Sequence, residues 1–299
     1  MKFVAATTID EALQALADGA RPVAGGSDLV VGARQGKAPL PEFVVGIDRI
    51  DALREIALDD DGLVIGAGVA HAVLEQHPLI VDLFPGLADA SALVGSPSTR
   101  NVGTIGGNVM NSSPAMDTGA PLLVFDTKAE LRSLRGSRRV PLNELWTGPG
   151  RTSAAADELC VALHIPRPAL NSSSAYVRLE YRRAMEIAVV GAGAAVRLND
   201  DGSVGHLAVA LTAVAPTIVR VQGLGQFIDR PVDEQLLADV AALAAEQATP
   251  ISDLRASDRY RRHTVGVMAR RSVEAAARRA AGEHIAVPVN RALGIGAAS

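Results

Sequence analysis

The stretch whose reading decides the fold is Asn101-Val102-Gly103-Thr104-Ile105-Gly106-Gly107-Asn108, closed by Pro114 and Asp117. It lies near the middle of the chain and carries no charge until Asp117. Glycine loses more conformational freedom on ordering than any other residue, so the run Gly103, Gly106 and Gly107 has a cost that calls for a reason. Bare backbone N–H groups form a concave donor surface for an anionic partner, and side chains would obstruct it. Thr104 adds a hydroxyl and Asn108 an amide that donates and accepts. The competing reading is a tight turn between two strands, with Gly106-Gly107 supplying positive φ. Taken alone, the segment leaves both open.

A second segment shifts the balance. Ala24-Gly25-Gly26-Ser27-Asp28 follows the short apolar run Pro22-Val23 and precedes Leu29-Val30-Val31. Again two glycines adjoin a hydroxyl, and a carboxylate follows at once. Two such stretches, each bounded by apolar runs, point to one extended ligand carrying phosphates and hydroxyls, clasped by both.

These residues resemble a known family. The pair AGGSDL (24–29) and RNVGTIGGN (100–108), with SPxxD (113–117), is similar to the FAD-binding medium subunit of the molybdenum hydroxylases, the group of xanthine dehydrogenase and carbon monoxide dehydrogenase. The similarity runs over nearly the whole chain. It implies an α+β protein: a two-subdomain FAD-binding fold of the vanillyl-alcohol-oxidase (PCMH) type, followed by a C-terminal antiparallel sheet with a helical bundle. It also implies non-covalent FAD, a small partner subunit with [2Fe–2S] clusters, and a large partner subunit with molybdopterin, assembled as a dimer of heterotrimers.

Composition agrees with a large folded chain. Of 299 residues 48% are hydrophobic but only 3% aromatic, so the core is built mainly from Ala, Val and Leu. A net charge of −4 gives no general attraction to nucleic acid or an anionic membrane. The start MKFVAATTIDEA lacks the long apolar segment of a signal peptide, and the most apolar run, Ile187 to Val196, is too short to span a bilayer. A soluble cytoplasmic protein is the expectation. Cys160 is the single cysteine, which excludes an intramolecular disulfide and a cysteine-rich zinc site. It equally excludes an iron–sulfur cluster held by this chain, since that takes about four thiolates.

Along the chain, Thr8 and Glu11 read as a capping box opening a helix with Ala12, Leu13, Ala15 and Leu16 on one face, stopped by Gly19. Short strands at Pro22–Ala24 and Phe43–Ile47 complete an α/β subdomain over 1–52. A hairpin at 53–58 and 63–67, helices near 70–76 and 82–93, and strands at 129–131, 138–140 and 158–165 define a second α+β subdomain over 53–170. Pro166 to Ser174 reads as a linker. Strands at 176–181, 187–198 and 204–214 and helices at 232–247 and 257–281 form a third domain over 171–285, with 286–299 a tail. The last helix is rich in arginine and reads as a solvated face or a protein interface.

The resemblance assigns Gly106 and Gly107 to the flavin diphosphate, with the N–H groups of Thr104 and Asn108, and Gly25 and Gly26 to the same diphosphate from the other side. Val23, Ala24, Leu29, Gly103 and Ile105 complete the two stretches. Ser27 and Asp28 meet phosphate or ribityl oxygens, Asp28 through its N–H. Asp117 is an acceptor for FAD hydroxyls or an acid at a helix N-terminus. Arg178 is a cation beside the flavin, where it would raise the potential, or an exposed strand arginine. The Cys160 backbone runs beside the isoalloxazine while its thiol packs as a small hydrophobe; Val94 is another wall position. GAGVA (66–70) and GAGAAV (191–196) do not complete a dinucleotide fingerprint and read as close sheet packing. His71 and His77 lack a third metal ligand. No catalytic acid, base or metal site is expected. The rival readings are a self-sufficient flavoenzyme using His206 or Glu186, and a scaffold with degraded flavin loops.

Overall fold

Thr8 opens the Ile9–Ala17 helix by accepting the Glu11 amide at 3.2 Å, and the Glu11 carboxylate turns back to accept the Thr7 amide at 2.7 Å. This is the expected capping box with its return bond moved one residue outward. Ala12, Leu13, Ala15 and Leu16 are buried, and Gly19, at φ +89°, ends the helix. The structure, a computed structural model, describes residues 1–36, 39–182 and 184–295.

Contacts divide the chain into two compact units. The first is Met1–Val73, Pro97–Ser112 and Asp126–Arg167; the second is Leu74–Ser96, Ser113–Phe125 and Pro168–Ser299. The division does not follow the sequence segments 1–52, 53–170, 171–285 and 286–299. Two excursions of the middle segment group with the C-terminal part.

The first unit holds two main sheets. Phe43–Gly46 lies between Lys2–Ala5 and Arg21–Val23, parallel to both. The Lys2–Ala5 strand was not legible, because four mixed residues carry no pattern. An antiparallel sheet runs in the order Ile56–Leu58, Gly62–Gly66, Leu159–Pro166, Lys128–Ser133, Gly136–Pro141. Leu13, Leu16, Val45, Ile50, Leu53, Leu159 and Val161 form one cluster joining the first helix to strands of both sheets. Fully burying one such leucine is worth about 1.5–3 kcal/mol.

In the second unit, Ser172–Leu179, Val190–Leu198, Val204–Thr212 and Val219–Arg220 form an antiparallel sheet in that order. The supposed linker is therefore strand at both ends, since Pro166 closes one strand and Ser172 opens the next. The Asp258–Ala280 helix packs on the first two strands and on the Glu234–Gln247 helix. Ala192 and Ala194 belong to that core, whereas Gly193, on the opposite face, lies against Ala120 of the Gly119–Val124 helix. Close packing thus accounts for GAGAAV. The same holds in the first unit for GAGVA, where a methyl group on Gly66 would lie 2.3 Å from the Leu53 carbonyl oxygen.

Two arginines of the last helix, Arg261 and Arg279, are turned inward and paired, while Arg259, Arg262 and Arg278 stay on an exposed face. Arg261 donates to the Val189 and Ala213 carbonyls and pairs with Asp253; Arg270 pairs with Glu234, Arg278 with Glu283 and Arg279 with Asp89. Among the described residues no helix is long and apolar enough to cross a membrane, and no group of His, Cys, Asp and Glu could hold a metal ion.

Candidate functional site

The central stretch is neither a free loop nor a turn between strands. Thr104 is the N-cap of the helix Ile105–Asn111, and its hydroxyl accepts the Gly107 amide at 3.1 Å. Threonine is a preferred N-cap, and small residues behind it let the first turn form close to a neighbour. That neighbour is main chain. Ile105 N–H donates to Val69, Gly106 N–H to Ala67 and His71 N–H to Gly103, while the Ala67 amide donates to Val161, beside Cys160. The helix start is thereby fixed to the antiparallel sheet.

The two glycine stretches touch. A methyl group on Gly25 would lie 1.7 Å from the Val102 carbonyl oxygen, and one on Gly103 would lie 3.7 Å from Ser27 Oγ. Gly26, at φ +66°, turns the chain into the Ser27–Arg34 helix, and no side chain caps that helix. Its first-turn amides, Ser27, Asp28 and Leu29, have no backbone acceptor among the described residues. An uncapped helix N-terminus presents N–H groups and a partial positive charge to an anion.

The four paired glycines are small for different reasons. Gly25 and Gly106 are needed for packing, since a methyl group on Gly106 would lie 2.5 Å from Ala67 Cβ. Gly26 is needed for its backbone angle. Gly107 is exposed, and a methyl group there would meet only Thr104 Oγ1, at 3.0 Å. Internal packing does not require it to be bare.

This alters what the central stretch would offer a diphosphate. The amides of Ile105, Gly106, Gly107 and Asn108 already have acceptors, the last being the Thr104 carbonyl. What remains is the open face at Gly107 and the Thr104 hydroxyl, whose proton is still available to donate while its oxygen accepts. The open N–H groups lie instead at 27–29, and Val23, Ala24 and Leu29 around them are half-buried. Desolvation pushes the Asp28 carboxyl above its ordinary value.

Cys160 is buried at an irregularity of the Leu159–Pro166 strand. Burial, with the nearby Glu130 carboxylate, pushes its thiol up to about 12, so it stays protonated and packs as a small hydrophobe. His71, set aside as a metal ligand, sits at the junction of the two stretches: its Cδ2 would lie 3.5 Å from a methyl group on Gly103.

Asp117 and Arg178 belong to the second unit and meet there. Arg178 is fully buried, so it is not an exposed strand arginine. Its Nη1 donates to Asp117 at 2.7 Å, and its Nε and Nη2 converge on Glu180 Oε2, each at 2.7 Å. Tyr176 donates its hydroxyl to Asp117 at 2.8 Å. Burial works against the Arg178 charge, but the two carboxylates outweigh it and hold the pKa above the ordinary value. Burial likewise raises the Asp117 carboxyl, opposed by Arg178 and Tyr176. One cation thus faces two anions, so the guanidinium charge is matched within the unit. Asp117 precedes the Gly119–Val124 helix by two residues, and its carboxylate is spent on Arg178 and Tyr176 rather than on that helix's amides.

Tyr176 and Glu180 stood beside Arg178 in sequence, and their two-residue spacing on a strand was the signal that would have found them. Asn290, whose amide side chain brackets the Arg178 backbone at 2.9 Å on both sides, left no such signal. Val94 is the half-buried C-cap of the Pro85–Leu93 helix. Glu186, a candidate acid of the rival flavoenzyme, pairs with Arg182 at 3.2 Å.

The donor set of the two stretches, an uncapped helix start with two hydroxyls beside an open glycine, suits a nucleotide diphosphate. Comparison with known proteins agrees. Residues 1–168 match the family model described as the FAD binding domain in molybdopterin dehydrogenase, and residues 175–276 match the CO dehydrogenase flavoprotein C-terminal domain. The chain is 33% identical over 283 residues to the xanthine dehydrogenase FAD-binding subunit of Escherichia coli O157:H7, covering 93% of this chain and 96% of that one. It is 30% identical over 237 residues to the carbon monoxide dehydrogenase medium chain of Hydrogenophaga pseudoflava, covering 79% and 82%. Among solved structures, carbon monoxide dehydrogenase from the same organism matches with a TM-score of 0.87 at 28% identity, covering 92% of this chain and 96% of that one. These matches define the class, an FAD-binding flavoprotein of oxidoreductase type. Within it, the chain belongs to the family of FAD-binding medium subunits of the molybdenum hydroxylases.

Proposed function

We propose that this chain is the electron-relay subunit of a molybdenum-containing dehydrogenase. It takes electrons from the [2Fe–2S] clusters of a small partner subunit, which receives them from a large molybdopterin subunit, and passes them to an external acceptor. The assembly is a dimer of heterotrimers in the cytoplasm. Bound FAD supplies the redox chemistry, accepting electrons one at a time and storing two. The chain's own residues bind and orient it. The first-turn amides of the Ser27–Arg34 helix, with the Ser27 and Thr104 hydroxyls, meet the diphosphate, and the bare Gly107 leaves room for it. No His or Cys lies within 23–29 or 101–108, which supports non-covalent binding.

The observation that carries this reading is the direct contact of the two glycine stretches beside an uncapped helix start. Glu186, one of the two residues considered for acid–base work on a substrate of the chain's own, is paired with Arg182. Anaerobic addition of small-molecule substrates of xanthine- and aldehyde-type dehydrogenases to the isolated FAD-loaded chain is therefore expected to leave the visible absorbance of the oxidised flavin unbleached. Bleaching without partner subunits would instead establish a self-sufficient flavoenzyme.

A further inference from the structure

Leu254 stands fully exposed on the short turn that leads into the Asp258–Ala280 helix of the second unit. A leucine in water adds nothing to the fold, yet the turn that carries it is firmly held. Asp253 accepts the Arg255 and Ala256 amides at 2.8 and 3.3 Å and the Arg261 guanidinium at 2.7 Å. Ser252 and Asp258 exchange two further bonds, at 2.8 and 2.9 Å. Arg261 is itself buried and donates to the Val189 and Ala213 carbonyls, which ties the turn to the sheet. The Tyr181 hydroxyl donates to the Arg255 carbonyl at 2.7 Å, bringing an exposed ring beside the turn, and Ile251 is exposed as well. Arg259 and Arg262 lie on the exposed side of the helix's first turns, and Arg255 is half-buried just before them. From Ile251 to His263 four arginines stand against two aspartates, on a chain of net charge −4. Rigidly presented apolar and aromatic groups among arginines have the make-up of a protein-binding surface.

We propose that this surface docks the small iron–sulfur subunit, with Leu254 as its apolar anchor and Arg255, Arg259 and Arg262 as a basic rim. The inference rests on the reading that electrons reach this chain from [2Fe–2S] clusters. Charge selects the partner. In an oxidised [2Fe–2S] cluster two ferric ions do not balance two sulfides and four thiolates, so the centre is a net anion, more negative still when it carries an electron. A donor of that kind is steered to a basic patch and held there in register. A second copy of this chain does not fit, because a two-fold contact would set the same arginines against each other.

The test titrates the FAD-loaded full chain with the purified small subunit, its clusters in place, and in parallel with the large subunit. Leu254→Asp is expected to weaken the complex with the small subunit about 100-fold, the effect of losing a hot-spot anchor. Its melting temperature stays at the wild-type value, because the side chain is fully exposed. Wild-type affinity for the small subunit is expected to fall as salt rises. Arg259→Glu is expected to weaken binding about 10-fold at low salt and to flatten that dependence. Should Leu254→Asp not fold, the salt dependence of Arg259→Glu decides. Wild-type affinity for the small subunit in these variants overturns the proposal, and so does a loss of binding confined to the large molybdopterin subunit. A wild-type chain that binds no small subunit would be a different outcome, removing the electron-relay reading and this inference with it.

Discussion

Replacing Gly25 by alanine is expected to part the two glycine stretches and release FAD. The added methyl group would stand 1.7 Å from the Val102 carbonyl oxygen and 2.4 Å from its carbon, and both obstacles are main chain. A side chain could rotate away, but a peptide group moves only with its neighbours, here the start of the Ile105–Asn111 helix. Overpacking typically costs about 1–3 kcal/mol, and a backbone clash belongs at the top of that range. The chain's single tryptophan reports on this region. Trp146 is buried in the first unit and donates its indole N–H to the Val109 carbonyl of that helix at 3.0 Å. Denaturant unfolding followed by Trp146 fluorescence is expected to show Gly25→Ala about 3 kcal/mol less stable, with FAD lost on gel filtration. A wild-type midpoint with FAD retained would mean that the contact between the stretches is dispensable.

The second large effect concerns Arg178. Truncation to alanine leaves Asp117 and Glu180 buried without the guanidinium that both carboxylates share. Breaking a buried ion pair from one side costs about 3–5 kcal/mol, because the remaining charge stays desolvated. Hydrogen–deuterium exchange of the Ser172–Leu179 strand, where Arg178 sits, is expected to accelerate accordingly. The pH dependence has a definite sign. Burial raises the Asp117 carboxyl in the folded variant above its unfolded value, with only the Tyr176 hydroxyl left to oppose it. Protonation therefore favours the folded state, and the deficit of Arg178→Ala shrinks as pH falls from about 8 toward 5. A deficit that is constant over this window, or below about 1 kcal/mol, would show that the cluster is not the buried ion network described. Had Arg178 been an unpaired cation serving only the flavin, stability would change little.

Much of the architecture was legible because local rules acted alone. Thr8 and Glu11 announce a helix, Asp59 to Gly62 a hairpin, and the alternation from Tyr176 onward a strand. The capping hydroxyl of Thr104 was equally visible, yet the density of glycine in 103–107 read as loop. The reason lies in tertiary contact: Gly106 is small because the helix start presses on Ala67, a fact no local pattern records. The glycine pairs were seen as sites, but sequence does not separate a glycine needed for packing, such as Gly25, from one left bare on an open face, such as Gly107. Arg178 and Asp117 were singled out from the resemblance, while their mutual pairing, 61 positions apart in the chain, depends on how the second unit assembles.

The measurement that bears most directly on the account is FAD affinity in Gly107→Val. The branched side chain would project from an exposed position, its Cβ meeting within the protein only the Thr104 hydroxyl, at 3.0 Å. If the two stretches hold the diphosphate, titration of the FAD-free variant shows affinity lower by on the order of 100-fold, with Trp146 unfolding unchanged. Wild-type FAD affinity in that variant would contradict the account.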